Sequence, residues 1–188
     1  LPSDVVLRNY FHAKDENRPH LLDSVFTEDA VLEIRNATST ISFPAVTSGR
    51  EAIADVLVRS FGQTYENVYS FYLQRPCGPL RSFECEWIVA MTQKSSHNVR
   101  VGCGLYEWEF DLDAHNLARR LAISIVEMQI FPPTVASAAL SCLAALTYPW
   151  SSPVEIKKAA FAYPQFEPVF QHVGNGESDA LYLPKEGI

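Results

Sequence analysis

Cysteine is scarce: four of 188 residues, at positions 77, 85, 103 and 142, with no Cys-x-x-Cys pair and no histidine at zinc-ligand spacing. That pattern excludes a metal knuckle and a dense disulfide framework, and it suits a reducing, cytoplasmic setting. Each thiol reads first as a small buried hydrophobe and only second as a nucleophile, because free cysteine is among the most buried residue types. Positive charge is also in short supply. There are 15 Lys plus Arg against 22 Asp plus Glu, a formal net charge of -7. The densest basic groups are the pairs Arg119-Arg120 and Lys157-Lys158. A polyanion would be repelled, so nucleic acid is not an expected partner. Long apolar runs are missing too. The longest, TVASAALSCLAAL at 134–146, falls short of the roughly 20 residues that cross a bilayer and reads as a buried helix, so no membrane partner is expected. No basic and apolar leader is visible, although the chain begins without Met, which leaves secretion open beside the cytoplasmic reading. The NAT at 36–38 matches an N-glycosylation pattern and reads equally as a polar loop. Internal repeats and low-complexity segments are absent.

What is present is the composition of one well-filled globular domain, 47% apolar and 20% charged. Between Asp4 and Lys14 the residues Val6, Leu7, Tyr10, Phe11 and Ala13 recur at helical spacing, with His12 off the stripe. Asn17 is expected to cap a second, short helix carrying Leu21, Leu22, Val25 and Phe26, with Pro19 in its first turn. AVLEIR at 30–35 alternates, placing Leu32 and Ile34 on one strand face and Glu33 and Arg35 on the other. NATSTISFPAVTS is a polar connection, and Ser48 with Glu51 predicts a capping box before a third helix that buries Ile53, Ala54, Leu57 and Phe61.

The period then changes to two. Segments 66–75, 81–93, 99–110 and 121–131 alternate Val, Ile, Tyr, Phe or Trp with other residues and are separated by the turns PCGP, KSSHN and DLDAHN. Four hairpin-linked strands imply an antiparallel meander, and Gly102 and Gly104 inside the third predict a bulge or sharp bend. Pro132-Pro133 closes the sheet region. Helices follow, one with a capping box in SPVE at 152–155 and Ile156, Ala159, Ala160 and Tyr163 on its apolar face. A loop is expected over 174–179.

Three helices followed by a bent antiparallel sheet, with VFTEDAVLEI joining helix to strand and SGREAIADVL opening the third helix, resemble the nuclear-transport-factor-2-like superfamily, particularly its SnoaL-like branch. The resemblance covers residues 1–131, leaving 132–188 as a helical extension packed on the same body. It implies an α+β fold in which a conical, strongly curved antiparallel sheet wraps the N-terminal helices around an apolar cavity. It also implies a cavity beside a dimer interface; a homodimer and no cofactor are expected. Laid along the steroid isomerases of that superfamily, Tyr10 falls where their oxyanion-stabilising tyrosine sits, and Tyr106 falls near their second oxyanion donor. Ile34 falls where their proton-abstracting aspartate sits, and an alkyl group takes no proton, so steroid-isomerase chemistry is disfavoured. Dehydratase chemistry of the scytalone kind needs cavity histidines on strands, and His12, His20, His97, His115 and His172 occupy helix surfaces, turns or the tail. Arg100 and Glu127 echo part of an epoxide-hydrolase relay.

On the last strand Leu121, Ile123, Ile125, Glu127, Gln129 and Phe131 share one side in strict alternation, so a carboxylate interrupts an apolar file. Facing a cavity, Glu127 would be partly desolvated and its neutral form favoured, the tuning that suits proton transfer near neutral pH. Tyr10 or Tyr106 would then polarise a carbonyl or epoxide oxygen opposite. The other file is equally apolar, so an outward Glu127 in an ion pair or subunit contact stands as the alternative. Glu84 and Glu86 read as a solvated sheet face, and Tyr106, Trp108 and Phe110 as a cavity wall or packed core. The candidate site is therefore Glu127, Tyr10 and Tyr106 as acting groups, lined by Leu32, Ile34, Phe61, Trp108 and Ile125, with no metal. The expected function is a pocket for a small apolar ligand, with isomerase, dehydratase or hydrolase chemistry. A non-catalytic binding or dimerisation domain with a self-filled interior is the competing expectation.

Overall fold

The computed structural model describes residues 1–160 and 162–174; most of the loop expected over 174–179 therefore lies outside the described residues. Helix α1 (Ser3–Asp15) buries Val6, Leu7, Tyr10, Phe11, Ala13 and Lys14, so the apolar stripe ends on a charged residue. A 3-10 turn (Pro19–Ser24) follows, with Arg18 rather than Asn17 before its first residue. Asn17 adopts φ 52° and serves as the left-handed corner between the two helical segments. The helical hairpin thus forms, but through a backbone reversal instead of a side-chain cap.

Strand β1 (Phe26–Asn36) leads through the 37–45 connection to the short β2 (Val46–Ser48). Helix α2 (Arg50–Ala54) runs on through a π-helical segment (Asp55–Ser60) into α3 (Phe61–Thr64). Its N-cap is Gly49 at φ 91°, without a side-chain cap, so the predicted Ser48–Glu51 box does not form. Ser48 is already used, paired with Val31 in the sheet. Strands β3 (Tyr65–Tyr72), β4 (Ser82–Gln93), β5 (Val99–Asp111) and β6 (Leu117–Phe131) then make the expected meander. The six-stranded sheet has the order β2-β1-β6-β5-β4-β3. The first long strand therefore closes against the last, and it does so in parallel, Ile34 opposite Ile123.

Curvature comes from bulges. Between Cys103 and Gly104 the β5–β6 register jumps by one residue, leaving Val126 as an extra residue on β6; a second jump between Glu109 and Phe110 leaves Arg119 extra. Each bulge bends and twists its strand. Gly104 lies at the first bend because nothing larger fits: a Cβ there would stand 1.9 Å from the Ser124 carbonyl oxygen and 2.7 Å from the Trp87 ring.

Three layers result. The concave face packs on α1 to α3 through an aromatic core in which Phe11 and Tyr72 stack at 3.8 Å and Tyr10 meets Trp108 edge-on at 5.1 Å. The convex face of β3 to β5, carrying Phe71, Ile88, Val99, Val101 and Cys103, is covered by α4 (Ala136–Ala144), α5 (Pro153–Ala160) and α6 (Glu167–Phe170). That covering limits the solvated reading of the β4 outer face to its first residues: Glu84 is exposed and Glu86 half-buried, accepting a hydrogen bond from the Gly174 amide, whereas Ile88 and Ala90 are fully buried. Helix α4 buries only Ala139 and Leu143, so it lies flat on the sheet rather than inside the core. The capping box of α5 does form, the Ser152 amide donating to Glu155 at 2.8 Å and the Glu155 amide to Ser152 Oγ at 3.3 Å. The uncovered part of the convex face is charged. There Arg120 holds Glu33 through two 2.8 Å bonds and reaches Glu109, while Arg35 pairs with Glu107.

Candidate functional site

Inside the curl, between α1, the α2–α3 helix and the concave face, lies a cavity of about 50 Å³. Its wall is almost wholly apolar: Ile34 from β1, Ile41 and Phe43 from the connection, Leu57 and Phe61, Val89 and Met91 from β4, and Ile123, Ile125 and Met128 from β6. Five residues bring polar atoms to it: Tyr10, Lys14, Ser70, Trp87 and Tyr106. A space of this size holds a few water-sized groups, against the ~150 Å³ of a buried cavity known to take benzene.

Four of the five form two kinds of polar wall. At the end of α1, Lys14 (7% exposed) pairs with Asp15 (3%) and donates to Ser70 Oγ at 2.8 Å. The Asp15 carboxylate also accepts from the Ser70 amide (3.1 Å), the Ser70 hydroxyl (2.9 Å) and the Tyr148 hydroxyl (3.4 Å). Burial of an ion pair is tolerated only when its remaining capacity is met in this way. The ammonium additionally lies 5.4 Å from the Phe11 ring centre and 5.1 Å from that of Phe61. Two of the lining residues carry unpartnered polar groups: neither Tyr10 Oη nor Trp87 Nε1, both buried, makes a hydrogen bond. Such orphaned donors are costly in an apolar enclosure, at about 1–3 kcal/mol each.

Electrostatics keep the phenols protonated. Burial pushes Tyr10 far above its ordinary range; the Tyr106 hydroxyl, close by but outside bonding geometry, works against the shift and the Asp15 charge adds to it. Tyr106 and Tyr72 are raised by burial in the same way, and Tyr72 spends its proton on the Leu7 carbonyl oxygen at 3.0 Å. Tyr148 is held up first by burial and then by Asp15. All these hydroxyls are donors across the physiological range.

Of the residues singled out from sequence, Tyr10, Tyr106, Ile34, Phe61 and Ile125 come together on the cavity wall. Leu32 and Trp108 belong to the same buried cluster but stand behind that wall. Glu127 does not face the cavity. The bulge at Val126 breaks the alternation: Leu121, Ile123 and Ile125 point inward, then Met128 follows them, while Glu127 pairs with Cys103 on the convex side. Its Oε1 accepts from the Met128 amide at 2.9 Å and from Gln129 at 3.1 Å. Arg100 lies on the opposite face, bonded to Thr40 and Gln93, so the partial relay of Arg100 and Glu127 is divided by the sheet. Among the described residues no cluster of His, Cys, Asp or Glu gathers that can hold a metal ion. Lys14 and Trp87 are the functional residues missed from sequence. A signal existed for Lys14, which lies one helical turn beyond Tyr10 and thus on the buried stripe.

This geometry defines a class by its fold alone: a curled sheet closed on a helical hairpin around an apolar hollow, the nuclear-transport-factor-2-like fold. A candidate isomerase from Rhodopseudomonas palustris superposes with a TM-score of 0.52 at 12% identity, over 63% of this chain and 84% of that one. A hypothetical protein with a ketosteroid isomerase-like fold from Catenulispora acidiphila, in complex with trimethylamine, gives 0.51 at 13%, over 63% and 82%. An NTF2-like protein from Burkholderia thailandensis gives 0.52 at 8%, over 74% and 98%. No protein-family model and no curated protein matches the sequence.

Proposed function

We propose that this chain is a cofactor-free small-molecule pocket protein whose ligand is compact, largely apolar and uncharged and presents one acceptor oxygen. The observation that carries the reading is the pair of buried, unpartnered donors, Tyr10 Oη and Trp87 Nε1, among the residues of a predominantly apolar wall. A carbonyl oxygen that reached either donor would supply the partner it lacks. A carboxylate is disfavoured, since Lys14 and Asp15 already neutralise one another and an added anion would remain uncompensated in a low-dielectric enclosure.

Binding is better supported than turnover. The carboxylate nearest the cavity, Asp15, has its oxygens engaged by Lys14, Ser70 and Tyr148, and Glu127 lies across the sheet. Isomerisation, dehydration or hydrolysis therefore awaits a base that the cavity wall does not supply. The four cysteines are free, which agrees with the proposed cytoplasmic setting. Among the described residues no helix is long and apolar enough to cross a membrane.

The test is calorimetric titration with small ketones and with carboxylic acids of equal size. Ketones are expected to bind, acids at least tenfold more weakly, and Trp87→Phe and Tyr10→Phe each to weaken ketone binding about fivefold, the value of one net hydrogen bond. Equal affinity for both ligand classes, or indifference to both substitutions, would falsify the reading. A second reading, a non-catalytic self-associating domain with a self-filled interior, draws on the small cavity volume of about 50 Å³. Sedimentation across a concentration series measures its association part and the expected homodimer together.

A further inference from the structure

The inner cavity has a neighbour. On the same side of the molecule a second chamber of about 300 Å³, open to solvent where Pro44, Ser60 and Thr64 are exposed, is lined by these three with Val56, Tyr65, Ile41 and Phe43. Three side chains, Ile41, Phe43 and Phe61, line both spaces, so the two chambers share a wall one side chain thick. Phe61 is anchored in a helix. Ile41 and Phe43 are not; they sit on the 37–45 connection, which has no regular secondary structure.

That connection is tethered unevenly. Thr40 Oγ1 donates to the Met128 carbonyl oxygen at 2.7 Å, Arg100 donates to the Thr40 carbonyl oxygen, and Asn36 donates to that of Ile41 at 2.5 Å. At the other end the Ile34 amide donates to the Ala45 carbonyl oxygen at 2.8 Å. Among the described residues no hydrogen bond involves Ser42, Phe43 or Pro44. Phe43 is half-buried and is held between two fixed points by packing alone, whereas Ile41 is 7% exposed and is fixed through its own carbonyl. A side chain so placed changes rotamer without breaking a single hydrogen bond.

The chambers also complement one another chemically. The inner one offers orphaned donors but room for only a few heavy atoms; the outer one has space, apolar walls, hydroxyls from Ser42, Ser60 and Thr64, and no charged side chain. Joined, they reach the range of ordinary ligand pockets, roughly 300–1,000 Å³. We propose that Phe43 is a gate between two halves of one site, and that the ligand is an elongated, uncharged molecule. Its acceptor oxygen is seated at Tyr10 and Trp87, and its alkyl tail passes Phe43 into the outer chamber. This deepens the pocket reading above and rests on it.

The probe is the series of straight-chain methyl ketones from 2-butanone to 2-dodecanone, titrated against the full chain by tryptophan fluorescence and calorimetry. Each methylene entering the outer chamber should tighten binding about three- to fourfold, the transfer value of a buried CH₂. Ser60→Trp, which fills the outer chamber from an exposed position, should collapse the ratio of 2-decanone to 2-butanone affinity at least tenfold. Phe43→Ala should speed association of the long ketones severalfold, with circular dichroism confirming that both variants fold. Affinity that peaks at the shortest ketones, in wild type and Phe43→Ala alike, overturns the gate and leaves the pocket reading standing. A series in which no member binds overturns both.

Discussion

The most exacting residues are Lys14 and Asp15, an ion pair closed off from water at the end of a helix whose other inward residues are apolar. Lys14→Met strands the Asp15 carboxylate beside Ser70 and Tyr148 and should cost about 3–5 kcal/mol, the usual penalty for leaving one buried charge without its partner. The double variant Lys14→Met/Asp15→Asn removes the stranded charge and should recover more than half of that loss. Urea denaturation of the two single variants and the double variant forms a cycle whose coupling term isolates the pair. A coupling near zero would mean that water reaches the site. The spacing of Lys14 alone placed it on the buried stripe; the groups that satisfy Asp15 were not legible, because Ser70 and Tyr148 arrive from 55 and 133 residues away along the chain.

At the scale of elements the decisive feature is the extra residue in β6. Strict alternation carries Glu127 inward with Ile123 and Ile125, and the bulge at Val126 sends it outward with Cys103. Glycines 102 and 104 on β5 announced a bend, but not which strand would carry the additional residue, nor where. Deleting Val126 removes the bulge and leaves every inward side chain inward, so the variant should fold, with a flatter sheet and a loss of about 1–3 kcal/mol from misfitted packing. Deleting Ser124 is different. It slips the register and carries Leu121 and Ile123 off the core face, so soluble folded protein should not be recovered. Comparing the near-ultraviolet circular dichroism and urea midpoints of the two deletions decides whether Val126 is the surplus residue.

For the whole molecule the C-terminal extension matters most. Phe71, Ile88, Val99 and Val101 are buried only because α4 to α6 lie over them. Segment 149–151 also adds itself beside β3, the Tyr72 amide donating to the Pro149 carbonyl oxygen at 2.8 Å and the Ser151 amide to that of Tyr72 at 3.1 Å. A chain ending after residue 131 would expose this face and an open strand edge together, and it should aggregate or self-associate in light scattering at concentrations where the full chain does not. Alkali should act on the whole body as well. Burial, aided by the carboxylates of Glu127 and Glu86, pushes the Cys103 thiol up to about 12, and burial also raises Cys85, Tyr10, Tyr72 and Tyr106. Unfolded thiols and phenols ionise near 8.5 and 10. Above those values the unfolded chain binds fewer protons than the folded one, so the stability is fully present at pH 7–8 and is lost progressively as pH rises toward 12. Urea midpoints at pH 8, 9 and 10.5 should fall in that order; a flat profile would show that these groups are wetter than the fold implies.

The amino-acid sequence by itself determined the elements: the stripe on α1, the alternation of β3 to β6, the capping box of α5, and with them an α+β body with an aromatic concave face. These are local periodicities, written within a few residues of one another, and a chain reads them out wherever it folds. Only the tertiary structure decided that β1 closes the sheet in parallel with β6, that one surplus residue removes Glu127 from the cavity, and that Lys14, Ser70 and Trp87 meet inside it. Those outcomes depend on contacts between distant segments and on where a strained sheet yields, and neither is encoded in the spacing of any single segment.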